Sequence, residues 1–327
     1  MSDAPVADPK KPGKVAVLLE LVKFEHSIFA LPYAYIGAIY GAAFVERLDP
    51  LYELPPQVQP FLALGPALLY KGGGYAWPAW SALLWITVAM VGARAFAFVV
   101  NRAVDKEIDA RNPRTAGRAI PAGLIKAWEL WLFSAVMLAA YLVAVFQLAP
   151  VTHWLWPIPL AMFIAYPYLK RFTWACHFWL GACLGLGACG GWAAVGAPLS
   201  DPAPWVFAAA VTLWTAGFDI IYATQDYECD VRDGVHSVPA DLGIARGLVI
   251  TRACHALTFL LLLGGGYLVG AGWPYYTGVV IAGILLAYEN AIVKADDLSR
   301  VNAAFFTTNG VIAIILLAGA VADRFIG

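Results

Sequence analysis

NRAVDKEID (residues 101–109) closes one long apolar run, and DIIYATQDYECD (residues 219–230) closes another. In the first, Asn101, Asp105 and Asp109 recur every four residues, so on a continuous helix they share one stripe. In the second, Asp226 and Asp230 repeat that spacing, with Tyr222 one turn deeper and Asp219 about two turns deeper. Like charges on adjacent turns repel, and carboxylates beside lipid are costly unless paired or metal-bound. A hard divalent cation removes both difficulties. Mg2+ takes oxygen ligands and completes its shell with water and substrate phosphates. A lone DxxxD at a helix end is ordinarily just solvated. Two of them, with Asp219 deep in one helix and Arg94 seven residues before Asn101 in the other, point to a Mg2+-diphosphate site.

The rest of the composition is that of a membrane protein. Of 327 residues, 61% are hydrophobic and only 13% charged, where a soluble domain averages nearer a quarter charged. The apolar residues come in runs about as long as a bilayer is thick. We read nine spans: 29–45, 81–100 continuing to 109, 130–148, 154–168, 177–197, 205–223, 248–269, 275–293 and 303–321. The expected fold is therefore all-α, nine transmembrane helices around a central cavity, in one domain over 29–327. Residues 1–28 are expected to be a polar tail without a signal peptide, followed by an interfacial helix. A net charge of −1 gives no reason to expect a nucleic-acid partner. Cys176, Cys183, Cys189, Cys229 and Cys254 lack CxxC spacing and read as small buried residues rather than disulfides or zinc ligands.

With nine spans, one side collects most of the Lys and Arg, among them Lys106, Arg111, Arg114, Arg118, Lys126, Lys170, Arg171, Arg232 and Lys294. The other side keeps Arg47, Lys71 and Arg324. The positive-inside rule places the N-terminus and both acidic helix ends in the cytoplasm, and the expected location is the plasma (inner) membrane. The opposite loops are short except 46–80, which is rich in Pro and Gly and is read as a re-entrant or interfacial element.

Each acidic motif leads into a basic loop: RNPRTAGRAIPAG (111–123) after the first and VRDGVHSVPA (231–240) after the second, a weak sign of internal duplication. YPYLKR (166–171) supplies further cations. Those cations can meet a leaving diphosphate, or serve only as topology signals.

These motifs together resemble the UbiA superfamily of intramembrane prenyltransferases, over nearly the whole chain. NxxxDxxxD, DxxxD, the RTAGRAIPAG, YPYLKRFT and YATQDYECD stretches and the opening VKFEHSIFALPYAYIGA carry the resemblance. They look most like the 4-hydroxybenzoate-polyprenyltransferase branch, including its futalosine-route menaquinone members. The resemblance implies that Asn101, Asp105, Asp109, Asp226 and Asp230 hold Mg2+ and its diphosphate, and that Lys170 and Arg171 belong to a cytoplasmic cap. It also implies a lipid-open tunnel for the prenyl tail, and places Asp219 and Tyr222 at the reaction centre. The long 46–80 connection departs from the family.

The expected reaction is ionisation of an allylic polyprenyl diphosphate and attack by an aromatic acid, 4-hydroxybenzoate or a hydroxynaphthoate, in ubiquinone or menaquinone synthesis. Asn101, Arg118, Lys170 and Arg171 are the expected diphosphate ligands. Asp219 is expected to orient or deprotonate the acceptor, and Arg94 to bind its carboxylate or the diphosphate. Phe98, Tyr166 and Tyr222 can face the cation. Relatives that act on chlorophyllide, haem or homogentisate keep the aspartates, so the acceptor stays open. A cation-coupled transporter needs polar groups near the midplane and access from both sides, whereas these charges crowd one face.

Overall fold

In a bilayer a helix satisfies its own backbone donors and acceptors, and the described residues are mostly helical. The computed structural model describes residues 13–21, 30–48, 69–72 and 75–326. Its helices are α1 (Lys14–Leu21), α2 (Leu31–Leu48), α3 (Trp80–Val104), α4 (Lys106–Arg111), α5 (Ala127–Val145), α6 (Thr152–Leu155), α7 (Pro157–Leu169), α8 (Cys176–Ala194), α9 (Ala203–Ala223), α10 (Tyr227–Asp233), α11 (Val238–Leu242), α12 (Ile244–Val269), α13 (Trp273–Ile292) and α14 (Asn309–Ile326). A π-helical segment, Ala303–Thr308, leads into α14. One antiparallel hairpin, β1 (Leu69–Gly72) with β2 (Tyr75–Pro78), precedes α3 and packs on α2.

Among the described residues, six helical runs are long and apolar enough to cross a membrane: Trp80–Val104, Ala127–Val145, Ala203–Asp233, Ile244–Val269, Trp273–Ile292 and Ala303–Ile326. The chain is an integral membrane protein. In the other three expected spans lie α2, α7 and α8. The 13 residues of α7 rise only about 20 Å, against a hydrocarbon core of roughly 30 Å. α2 and α8 are largely buried between other helices.

α8 is the hub, and its glycines are the reason. An added Cβ at Gly181 would lie 2.2 Å from the Thr212 carbonyl oxygen of α9, and one at Gly191 would lie 1.8 Å from the Ala34 carbonyl oxygen of α2. Only glycine lets backbones approach so closely, which is how membrane helices gain packing without a hydrophobic driving force. Four of the five cysteines are buried in this packing, and Cys229 is half-buried.

The helix ends sort into two groups. The ends of α2, α12 and α14 meet the start of α13, where Arg47 donates to the Val269 carbonyl at 2.8 Å and Asp323 accepts from Tyr40 (3.0 Å) and the Gly272 N–H (2.6 Å). The ends of α3, α7 and α9 meet at the other pole. Exposed Trp80, Trp154, Trp205, Tyr267 and Trp273 ring the first pole, and Trp128, Phe172 and Trp174 the second, as interfacial aromatic belts do.

Two sequence expectations change. The stripe through Asn101, Asp105 and Asp109 is not one continuous helix, because α3 stops at Val104 and Asp105 (φ −91°, ψ 4°) forms the joint to α4. Spacing is nevertheless kept, since the Asp105 N–H still bonds the Asn101 carbonyl and the Asp109 N–H that of Asp105. The second motif bends in the same way: a 3-10 turn, Thr224–Asp226, ends at Asp226 (φ −99°, ψ 1°) before α10 begins. Both leading aspartates therefore occupy the sparsely populated bridge region, which is common at active sites. The expected interfacial helix before residue 29 is seen only as α1, whose Lys14 pairs with Glu129 at the start of α5. The polar tail and most of the 46–80 connection lie outside the described residues.

Candidate active site

The two acidic motifs meet. Asn112, in the loop that follows α4, donates from Nδ2 to Asp226 Oδ1 at 2.7 Å. Arg114 of the same loop donates from Nε to Asp226 Oδ1 at 2.9 Å, holds the second carboxylate oxygen through its other nitrogen, and reaches the Tyr222 hydroxyl at 2.9 Å. Its guanidinium also lies over the Tyr222 ring, 5.0 Å from the centroid. Asn112 keeps this loop in shape by accepting the Arg114 N–H on Oδ1 at 2.9 Å. The loop of the first motif thus closes on the carboxylate of the second.

Every carboxylate here has a counter-charge or a donor. Asp105, only 3% exposed, pairs with Lys170 and with Arg171 at 3.3 Å. Burial pushes its carboxyl above the ordinary range, and the two cations pull the other way without cancelling the effect. Asp109 takes Arg118 at 2.7 Å and stands 3.5 Å from Arg102. Asp230 accepts from Ser237 Oγ at 3.1 Å. Burial lowers Arg114, but its bonds to Asp226 outweigh that and raise it.

One cavity of about 1020 Å³ runs through the molecule from this charged end. Asn101, Asp105, Asp109, Asp226, Asp230, Lys170 and Arg118 line its mouth. Arg94, Asp219 and Tyr222 line it further in, and Phe98 and Tyr166 face it as well. Arg94 and Asp219 each precede a motif by seven residues, so both lie about 10 Å deeper along their helices. Beyond them the wall is apolar or small: Ile86, Met90, Leu184, Gly187, Gly190, Leu199. Arg171 is the exception among the expected residues. It is not part of the lining, because its guanidinium turns back to the Pro167 and Val104 carbonyls at 2.5 and 3.1 Å and steadies Asp105 from outside.

The donor set suits a hard cation. Asn101 Oδ1 and Asp109 Oδ2 are buried and accept no hydrogen bond from the described residues. Among those residues no three acidic, His or Cys side chains gather around one point. Mg2+ does not require that, since one or two carboxylates with phosphate and water oxygens complete its shell.

Sequence reasoning passed over four residues of this site. Asn112 and Arg102 lay beside the motif unremarked, and Arg114 was counted only as a loop cation. His177 was missed altogether: it opens α8 and donates from Nδ1 to Asp219 Oδ2 at 2.7 Å. Its only signal was a lone histidine at the start of an apolar run.

Residues 60–311 match the UbiA prenyltransferase family. The chain belongs to that family. It is accordingly a prenyltransferase. A 4-hydroxybenzoate octaprenyltransferase of Cupriavidus necator is 30% identical over 246 residues, 75% of this chain and 85% of that protein. A UbiA homologue from Aeropyrum pernix superposes with a TM-score of 0.74 at 29% identity, covering 91% of this chain and 98% of the homologue. A UbiA homologue from Archaeoglobus fulgidus, solved with GPP and Mg2+, shares the fold at a TM-score of 0.64 and 18% identity, with 95% and 100% of the two chains covered.

Proposed function

We propose that this UbiA enzyme transfers a polyprenyl chain from its allylic diphosphate to an aromatic acid, 4-hydroxybenzoate or a hydroxynaphthoate, in quinone biosynthesis. The observation that carries the reading is a cavity that is charged where the two aspartate motifs meet and apolar beyond. The names of curated relatives favour 4-hydroxybenzoate as acceptor. Asn101, Asp105, Asp109, Asp226 and Asp230 are the proposed holders of Mg2+ and diphosphate. When bound, Mg2+ supplies positive charge to the departing diphosphate.

The chain's own residues then divide the work. Lys170 and Arg118, now paired with Asp105 and Asp109, turn to the phosphate oxygens and stabilise charge as the allylic C–O bond breaks. Tyr222, Phe98 and Tyr166 offer π faces to the allylic cation. Arg94, whose guanidinium lies 5.0 Å from the Phe98 centroid, binds the acceptor carboxylate and so orients the ring. Asp219 takes the ring proton as aromaticity returns. The apolar length of the cavity holds the prenyl tail and excludes water from the cation.

We place the whole in the plasma (inner) membrane as one domain over 29–327, after a cytoplasmic segment 1–28. Nine spans and a cytoplasmic active site agree with the Lys and Arg distribution and with helix ends that alternate between two poles. The test is an acceptor screen: purified enzyme, Mg2+, a labelled prenyl diphosphate and a panel of aromatic acids, read by mass spectrometry. Prenylated 4-hydroxybenzoate or hydroxynaphthoate is expected. Product only with chlorophyllide, haem or homogentisate would overturn the acceptor assignment.

A further inference from the structure

His177 is 3% exposed and held at both ring nitrogens. Nε2 lies 3.1 Å from the Val238 backbone N–H, which can only donate. Nε2 must therefore accept, and the ring proton sits on Nδ1, from which His177 donates to Asp219 Oδ2 at 2.7 Å. This geometry fits the tautomer with its proton on Nδ1. The neighbouring residue extends the link. Ser237 caps α11 by accepting the Ala240 N–H at 3.2 Å and donates from the same hydroxyl to Asp230 at 3.1 Å. A short path, Asp230–Ser237–Val238–His177–Asp219, thus joins the charged mouth to the deeper carboxylate.

We propose that His177 is a positioning residue for the transfer reaction: it aims the Asp219 carboxylate into the cavity and fixes it relative to the wall that carries Asp230. This rests on the role proposed above for Asp219. In the step concerned, the allylic C–O bond to diphosphate has broken and the ring carbon bonds to the allylic cation. The hydrogen on that ring carbon then leaves as a proton to Asp219, and its electron pair returns to the ring. His177 neither gains nor loses a proton. A carboxylate with one fixed neutral donor keeps its acceptor capacity and loses its freedom to turn away.

Two variants separate aiming from packing. An asparagine amide nitrogen stands where the imidazole Nδ1 stands, so His177→Asn keeps the donor to Asp219 and gives up the contact to Val238. A glutamine amide oxygen reaches the Nε2 position, so His177→Gln keeps the Val238 contact and gives up the donor. With saturating acceptor, His177→Gln should lower kcat by roughly 100-fold while KM for the prenyl diphosphate holds, and His177→Asn should recover most of that loss. Thermal unfolding in detergent reports folding, and His177→Asn carries the test if the glutamine variant does not fold. Equal losses in both variants, or wild-type kcat in His177→Gln, would overturn the proposal. Asp219→Asn is the control: if it keeps full kcat, the role given to Asp219 fails first, whatever the histidine variants do.

Discussion

Replacing Asp105 by asparagine keeps the side-chain shape and removes one charge at the joint between α3 and α4. Asp105 accepts from Lys170 and, at 3.3 Å, from Arg171. Charge-assisted bonds are roughly twice as strong as neutral ones, so each should lose on the order of 1 kcal/mol. Both cations are partly exposed, 22% and 33% by side chain, which pulls the sum toward 1 rather than 2 kcal/mol. The fold should therefore survive with a small drop in unfolding temperature. Activity should not survive. If Asp105 ligates Mg2+ and its diphosphate, turnover should fall at least about 1000-fold, some 4 kcal/mol of transition-state stabilisation. The assay pairs product formation by mass spectrometry across a Mg2+ titration with thermal unfolding of the same sample. Wild-type turnover at saturating Mg2+ would refute the reasoning, and so would a loss of activity that simply tracks the unfolded fraction.

Three further outcomes are expected. Adjacent glycines on α8 should behave oppositely. Gly190→Ala meets nothing within 4 Å and should stabilise by about 0.5–1 kcal/mol. Gly191→Ala would put a Cβ 1.8 Å from the Ala34 carbonyl oxygen and should cost more than about 3 kcal/mol by thermal unfolding. Since Gly190 lines the cavity beyond Asp219, Gly190→Leu should spare short prenyl diphosphates and raise KM for long ones. An unchanged chain-length profile would show that the tail does not pass that point. Asn309 accepts from Trp214 at 2.7 Å and donates to buried Glu289 at 3.0 Å. Asn309→Leu orphans both partners and should destabilise by about 2–5 kcal/mol. It should also loosen Phe305, whose ring centroid lies 4.2 Å from that of Tyr222, seen as faster amide exchange over 303–308.

The readable part of this protein was the part written in local spacing. Four-residue repeats placed Asn101, Asp105, Asp109, Asp226 and Asp230 on two helix ends, and the uneven Lys and Arg distribution put both ends at one pole. What escaped depends on contacts between distant residues. Arg114 and Asp226 are 112 positions apart, and nothing in either neighbourhood announces the pair. His177 finds Asp219 42 positions away and the Val238 N–H 61 away. The joints at Asp105 and Asp226 escaped for another reason. Neither motif contains the Pro or Gly that usually marks a bend, and both keep helical spacing through it. Lys170 and Arg171 are both expected at the diphosphate, but only Lys170 lines the cavity. A helix end sends successive side chains in different directions, and Arg171 faces the backbone of α3.

The clasp of Arg114 and Asn112 on Asp226 also constrains how this chain can be rebuilt or can evolve. If the two halves descend from one ancestral unit, they have since become mutually dependent, because each supplies part of the other's electrostatic balance. A chimera that borrows residues 203–240 from a distant relative while keeping the native 111–118 loop should insert into the membrane and still turn over poorly. Restoring the matching loop from the same donor should recover turnover. A mismatched chimera with full activity would show that the halves remain interchangeable parts.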